Sequence, residues 1–151
     1  MHLDVTGTTG ASTQTNASGN YILTLQTGGD YLVTPSHPAV PIASAGIDTL
    51  DVIAVQRHFL QIALLTGCAL TAADVDENGV VNIADLVAIQ RFFAAHPSGT
   101  ANVGQYRFMP VNRDYPLLVI DQVNQDYGAI ILGDVVGPFV HHPGVSPAEG
   151  Q

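Results

Sequence analysis

The apolar and polar residues of this chain change period along its length. From Leu3 to Pro35 they alternate, most clearly in Tyr21-Ile-Leu-Thr-Leu25 and Tyr31-Leu-Val-Thr34. A period of two is that of strands with one face covered. Ser18-Gly19-Asn20 and Thr27-Gly28-Gly29-Asp30 interrupt the alternation where hairpins would turn. Three prolines and a histidine between Pro35 and Pro41 mark a linker. The period then becomes helical. Leu50, Ile53, Ala54 and Phe59, then Leu86, Ile89, Phe92 and Phe93, predict core-facing helices over about 48–64 and 83–95. Pro97-Ser98-Gly99 ends the second helix. Short strands are predicted at residues 105–111, 115–120 and 127–132, and residues 138–151 read as an extended tail. The pattern is α+β. A small antiparallel β-sandwich-like part (1–36) precedes a helix pair (37–97), and a trailing β segment with its tail (98–151) follows.

The chemistry lies just before the second helix. Residues 74–85 read Asp-Val-Asp-Glu-Asn-Gly-Val-Val-Asn-Ile-Ala-Asp. Oxygen-bearing side chains stand at loop positions one (Asp74), three (Asp76), five (Asn78), nine (Asn82) and twelve (Asp85). Gly79 sits at position six, where such a loop turns sharply, and Val80 at position seven offers its backbone carbonyl. This spacing wraps a hard cation in oxygen, and calcium is the usual occupant. The bland alternative is an Asx-rich turn that caps a helix.

The second helix also repeats the first. Asp85-Leu-Val-Ala-Ile-Gln-Arg-Phe-Phe93 echoes Asp51-Val-Ile-Ala-Val-Gln-Arg-His-Phe59. Two copies fall short of the roughly three that a solenoid needs, so a paired loop-and-helix unit is expected.

With that duplication, residues 40–96 resemble type I dockerin modules, in which a twelve-residue calcium loop ending in Asp opens each of two helices. The first copy departs from the pattern. Asp48 and Asp51 fill positions nine and twelve, but counting back places Val40, Ile42 and Ser44 at one, three and five. Asn16 to Tyr21 and Tyr31 to Pro35 are similar to the end of a carboxypeptidase-regulatory or Cna-B-type sandwich. Tyr106 to Pro110 and Gly133-Asp-Val-Val-Gly137 look like the segment that trails a degenerate dockerin pair in large secreted bacterial surface proteins. Gly133-Asp134-Val135 also resembles the opening of a dockerin loop. Asp134 is therefore expected to supply a missing carboxylate to Asp48 and Asp51 at a second calcium site; the alternative makes Asp134 a turn residue and Asp48 a helix cap. Ordinary dockerins present Ser and Thr before the twelfth position. Here Ile83 and Ala84 stand there, with Thr49 and Leu50 in the first copy, so partner recognition would differ.

The sheet poses a problem of its own. Three or four strands fit before Pro35, whereas a sandwich has about seven. Either the C-terminal strands complete it in the same molecule, or a neighbouring subunit donates a strand.

Composition narrows the partners. Thirteen acidic residues face four Arg and no Lys, a net charge of −9, which opposes nucleic acid and anionic membranes. No apolar run approaches the ~20 residues of a membrane span. No signal peptide is visible at Met1, so a secreted protein would be a mature or processed segment. The single Cys68 lies in an apolar stretch and is expected to be a small core residue. Among His2, His37, His58, His96, His141 and His142 there is no zinc-protease spacing, and neither a nucleophile elbow nor a phosphate loop occurs. Asn16-Ala-Ser18 is a sequon open to glycosylation. The expectation is a non-enzymatic, calcium-binding, extracellular module that mediates protein–protein assembly, as a filament or scaffold subunit joined by strand complementation. The alternative is a dockerin that anchors a larger protein to a cohesin-like partner. A carbohydrate-binding module ranks last, because five tyrosines and no tryptophan make a poor stacking platform.

Overall fold

The computed structural model describes residues 1–137. The chain is mixed α+β, and its sheets are antiparallel. It divides into two compact units. Unit 1 takes Met1–His37 and Phe108–Ala129, and unit 2 takes Pro38–Arg107 with the described residues from Ile130 onward. The boundary at His37 falls in the proline-rich linker. The trailing segment does not form a body of its own but is shared between the two units. The expected tail, with His141 and His142, lies outside the described residues.

Unit 1 is built on one four-stranded sheet in the order β2-β1-β3-β5, with β1 His2–Gly7, β2 Ala11–Gln14, β3 Gly29–Ser36 and β5 Arg113–Leu118. In β3 burial alternates strictly, so Tyr31 and Val33 face inward while Leu32 and Thr34 face out. Leu3 pairs with Pro35 and Val5 with Val33, which puts the apolar residues of β1 on the same face. A one-residue slip would turn every one of them to solvent. Gly7 has φ +131, and a Cβ there would fall 2.0 Å from the Asp30 carbonyl oxygen, so the strand end requires glycine. From the C-terminal segment, β5 joins this sheet within the chain by pairing with β3, Tyr31 opposite Tyr115, and the outer strands β2 and β5 remain edges.

The predicted strand Tyr21–Leu25 does not form. These residues alternate in burial as a strand would, but they join no ladder. Tyr21, Leu23 and Leu25 instead pack on the inner cluster of Leu3, Val5, Tyr31, Val33 and Tyr127. The Tyr127 hydroxyl donates to the Val33 carbonyl at 3.1 Å. Packing on the sheet's face satisfied the apolar period without a pairing partner, and periodicity cannot separate those two outcomes.

Unit 2 holds α1 (Thr49–Phe59), α2 (Gly67–Ala73) and α3 (Ile83–Phe93). Strand β4 (Tyr106–Met109) pairs with β6 (Gly128–Ile131). Val55, Ile89, Phe92, Val75, Ile130 and Leu132 form the centre of its core. The predicted helical faces need correction. Ile89 and Phe92 are buried, but Leu50, Ile53, Phe59 and Phe93 are exposed. The reason is that Asp51 and Asp85 are themselves buried, and they turn each helix so that residues four positions on, Val55 and Ile89, face the core. Helix α1 stops at Phe59, short of the expected 64, where Gln61 takes φ +57. Helix α2 was not anticipated, and Cys68 within it is exposed, not a core residue. No helix among the described residues is long and apolar enough to cross a membrane.

Two outcomes follow from this packing. Ile89→Ala should cost about 2–5 kcal/mol by opening a cavity at the centre of unit 2, read as a lower urea midpoint. In unit 1, burial first, then the neighbouring Tyr115 and Asp126, pushes Tyr21 up to about 12, while Arg113 opposes the shift. Because the folded state holds this proton more tightly than the unfolded chain, unit 1 keeps its full stability below about pH 10 and loses it as pH rises towards about 12. Tyr21→Phe should flatten that alkaline loss in urea titrations followed by circular dichroism.

Candidate metal centre

The loop from Asp74 to Asp85 is shaped by its own carboxylates. Asp74 accepts the Asn78 N–H at 3.1 Å on one oxygen and the Gly79 N–H at 2.8 Å on the other. Asp76 accepts the same Asn78 N–H at 3.1 Å and the Asn78 side-chain amide at 2.9 Å. The side-chain oxygen of Asn78 accepts the Val80 N–H at 2.8 Å. The backbone turns back on itself at Glu77 (φ +61) and Gly79 (φ +86). Both values lie in the left-handed region, which position six needs for its sharp turn.

Asp85 anchors the loop to the helix it precedes. Its side chain is fully buried. One carboxylate oxygen accepts the N–H groups of Val75 and Asp76 at 2.9 and 3.3 Å, and the other accepts the Asn82 N–H at 2.9 Å. Asn82 caps α3 by accepting from Ala84 at 2.7 Å, so the two residues form a capping box. The residue at position twelve thus ties both ends of the loop together. Its second oxygen, with a single donor, keeps a lone pair free.

Asp74, Asp76 and Asp85 each bring one carboxylate oxygen to within 4.8 Å of the other two. Three negative charges this close repel one another strongly unless a cation sits among them. The neighbouring cation is engaged elsewhere, because Arg107 forms an ion pair with Glu77, and Asn102 donates to the same Glu77 oxygen at 3.3 Å. The acidic triad can therefore hold a metal ion. The remaining predicted ligands, Asn78, Asn82 and the Val80 carbonyl, belong to the same loop, and the Asn82 amide donates to that carbonyl at 3.1 Å. The donor set is oxygen throughout, which suits a hard cation. Nothing in the loop's sequence pointed to Arg107 or Asn102, which come from well beyond α3.

The first helix repeats this arrangement with a distant segment of chain. Asp51 is 2% exposed. One of its oxygens accepts the N–H groups of Val135 and Val136 at 2.6 and 2.9 Å, and the other accepts the Asp48 N–H at 2.8 Å. Val135 and Val136 stand to Asp51 as Val75 and Asp76 stand to Asp85. Asp134 therefore takes the place that Asp74 holds, and Asp48 caps α1 as Asn82 caps α3. Burial, then the adjacent Asp51, raises the Asp134 carboxyl above its usual range; the Gly137 N–H lowers it and Asp48 adds a smaller upward push. Asp134 immediately precedes the two residues whose N–H groups Asp51 accepts. Val136 stands where Asp76 would, so this half lacks one carboxylate. The grouping within 4.8 Å is found, among the described residues, at the 74–85 loop alone. Val40, at position one of the gap-free count, packs against the core of unit 2, and its N–H donates to the Gly104 carbonyl at 2.9 Å.

No protein-family model, curated protein or solved structure matches this chain.

The hydrogen bonds separate two kinds of aspartate. Asp85→Ala should destabilise unit 2 with chelator as well as with calcium, by about 3 kcal/mol or more, because it strips acceptors from three N–H groups at the loop's base. Asp76→Ala should leave the melt in chelator nearly unchanged and reduce only the rise produced by calcium. Thermal melts of both variants, with calcium and with chelator, check this.

Proposed function

We propose that this chain is a non-enzymatic, calcium-stabilised extracellular module that mediates protein–protein assembly, as a subunit of a secreted or surface filament or scaffold joined by strand addition. The observation that carries the reading is the convergence of Asp74, Asp76 and Asp85 at the start of a helix that helps to form the core of unit 2. An ion there ties residues 74–85 to α3 and offsets the repulsion among three carboxylates. Binding confined to the folded state stabilises by about 2.7 kcal/mol at a hundredfold excess over the dissociation constant. Calcium fits better than magnesium, because the loop supplies many oxygens from flexible positions in place of a small octahedral cage. The matching environment of Asp51 supports a second, weaker ion held by Asp48, Asp51 and Asp134.

Assembly is supported by unit 1. Its sheet ends in two edges, β2 and β5, and β2 is four residues long and uncharged. Its lack of charge leaves that edge open to a strand from another chain, while its shortness limits the ladder to few bonds.

A second reading has its own observation. Solvent-facing positions repeat between the helices, with Leu50, Ile53 and Arg57 on α1 matched by Ala84, Val87 and Arg91 on α3. A duplicated face with an arginine in each copy suits a dockerin-like module that binds a cohesin-like partner.

Electron microscopy of the purified chain decides between them. Regular fibres in calcium that disperse in chelator are the expected result. Dispersed particles in both conditions would overturn self-assembly and favour the partner-binding reading.

A further inference from the structure

Unit 1 contains a groove of about 710 Å³ whose two sides are segments outside any strand ladder. Residues 19–25 form one side and residues 120–126 the other, with Val33, Tyr115 and Leu118 also lining it. Along the first side burial alternates, Tyr21, Leu23 and Leu25 half-buried, Ile22 and Thr24 exposed. Such a segment has the form of a strand. Yet among the described residues no backbone N–H of 21–26 or 119–126 donates to another group.

The carbonyls are better served. The Tyr21 hydroxyl donates to the Gln125 carbonyl, and the side chains of Gln122 and Gln125 donate to the carbonyls of Ile120 and Val123. What both sides still offer, among the described residues, is backbone N–H donors. An occupant must bring acceptors at the spacing of a main chain, and an extended peptide does so. Ile22, Ile120 and Val123, all largely exposed, would gain apolar contacts from alternate side chains of such a peptide.

Charge selects its composition. The ionisable side chains lining the groove, apart from tyrosine, are Asp121 and Asp126, and no Lys, Arg or His is among them. Over its described residues unit 1 carries five aspartates (4, 30, 114, 121 and 126) against Arg113. That arginine is engaged, because it donates to the Asp126 carbonyl at 2.7 Å and lies over the Tyr127 ring. A strand with the composition of unit 1 itself would bring like charge to the groove. A cationic strand would not.

We propose that this groove takes an extended strand from a partner protein, apolar at alternate positions and carrying Lys or Arg beside Asp121 and Asp126. The inference rests on the reading of unit 1 as the assembling part, and gives the groove, unlike the sheet edges, to a protein other than this chain. The probes are two short peptides of alternating valine and threonine, one ended by lysines and one by glutamates. They are titrated by fluorescence anisotropy against the full chain in calcium at low salt. The lysine-ended peptide should bind about tenfold more tightly than the glutamate-ended one. Asp121→Lys with Asp126→Lys should reverse that preference while leaving the calcium-dependent melt intact. A proline at the centre of the lysine-ended peptide should abolish binding, because it cannot complete a ladder. Equal binding of the two peptides, no binding, or a preference unmoved by the charge reversal would overturn the proposal. So would dimers that form through the groove without peptide, since these would assign it to a second copy. Calcium-dependent fibres in a sample that binds neither peptide would remove this inference and leave the assembly reading standing.

Discussion

Everything in unit 2 depends on how buried carboxylates are held at the start of a helix. A carboxylate removed from water needs either a cation or several N–H donors. Asp85 and Asp51 take the second course, each receiving three backbone N–H bonds spread over both oxygens. Those bonds close the 74–85 loop onto α3 and hold the segment after Asp134 against α1. The helices then present Val55 and Ile89, four residues further on, to a common core. The buried acid is therefore the element that sets helix rotation, and the apolar face follows from it.

That constraint also explains why the repeat is visible as packing and not only as sequence. α1 and α3 expose the same places and bury the same aspartate and the residue four positions on, while Ala54 and His58 are half-buried where Ala88 and Phe92 are buried. The copies differ in how the loop reaches its aspartate. In the second copy twelve continuous residues supply every group. In the first, the opening half arrives from residues 134–136, 84 positions away from Asp51. A local loop closes at a lower entropic cost than one whose halves are so far apart in sequence. The complete set of carboxylates lies in the continuous loop.

Unit 1 shows a different economy. Its sheet covers one face with a mixture of Tyr127 and the extended residues 21–25, in the place where a sandwich would set a second sheet. Burial is served, while the backbone of that cover stays unpaired. The same feature is what the proposed docking of an outside strand would use.

How much of this was legible beforehand depends on the range of the contact. The ligand spacing of Asp74, Asp76, Asn78, Asn82 and Asp85, the turn at Gly79, the duplicated helices and the alternation of β1 and β3 are patterns within a dozen residues, and the chain by itself determined them. The pairing of Asp134 with Asp51 was readable only because Gly133-Asp-Val copies the start of a loop. The engagement of Glu77 by Arg107, the seating of β5 beside β3, the exposed Ile53 and Phe59, and the unladdered Tyr21–Leu25 had no local signal. Those were decided by tertiary structure, because an apolar period states that a side is buried but not against what. The partner of each such side is chosen by which distant segment can satisfy its backbone and its charge at once.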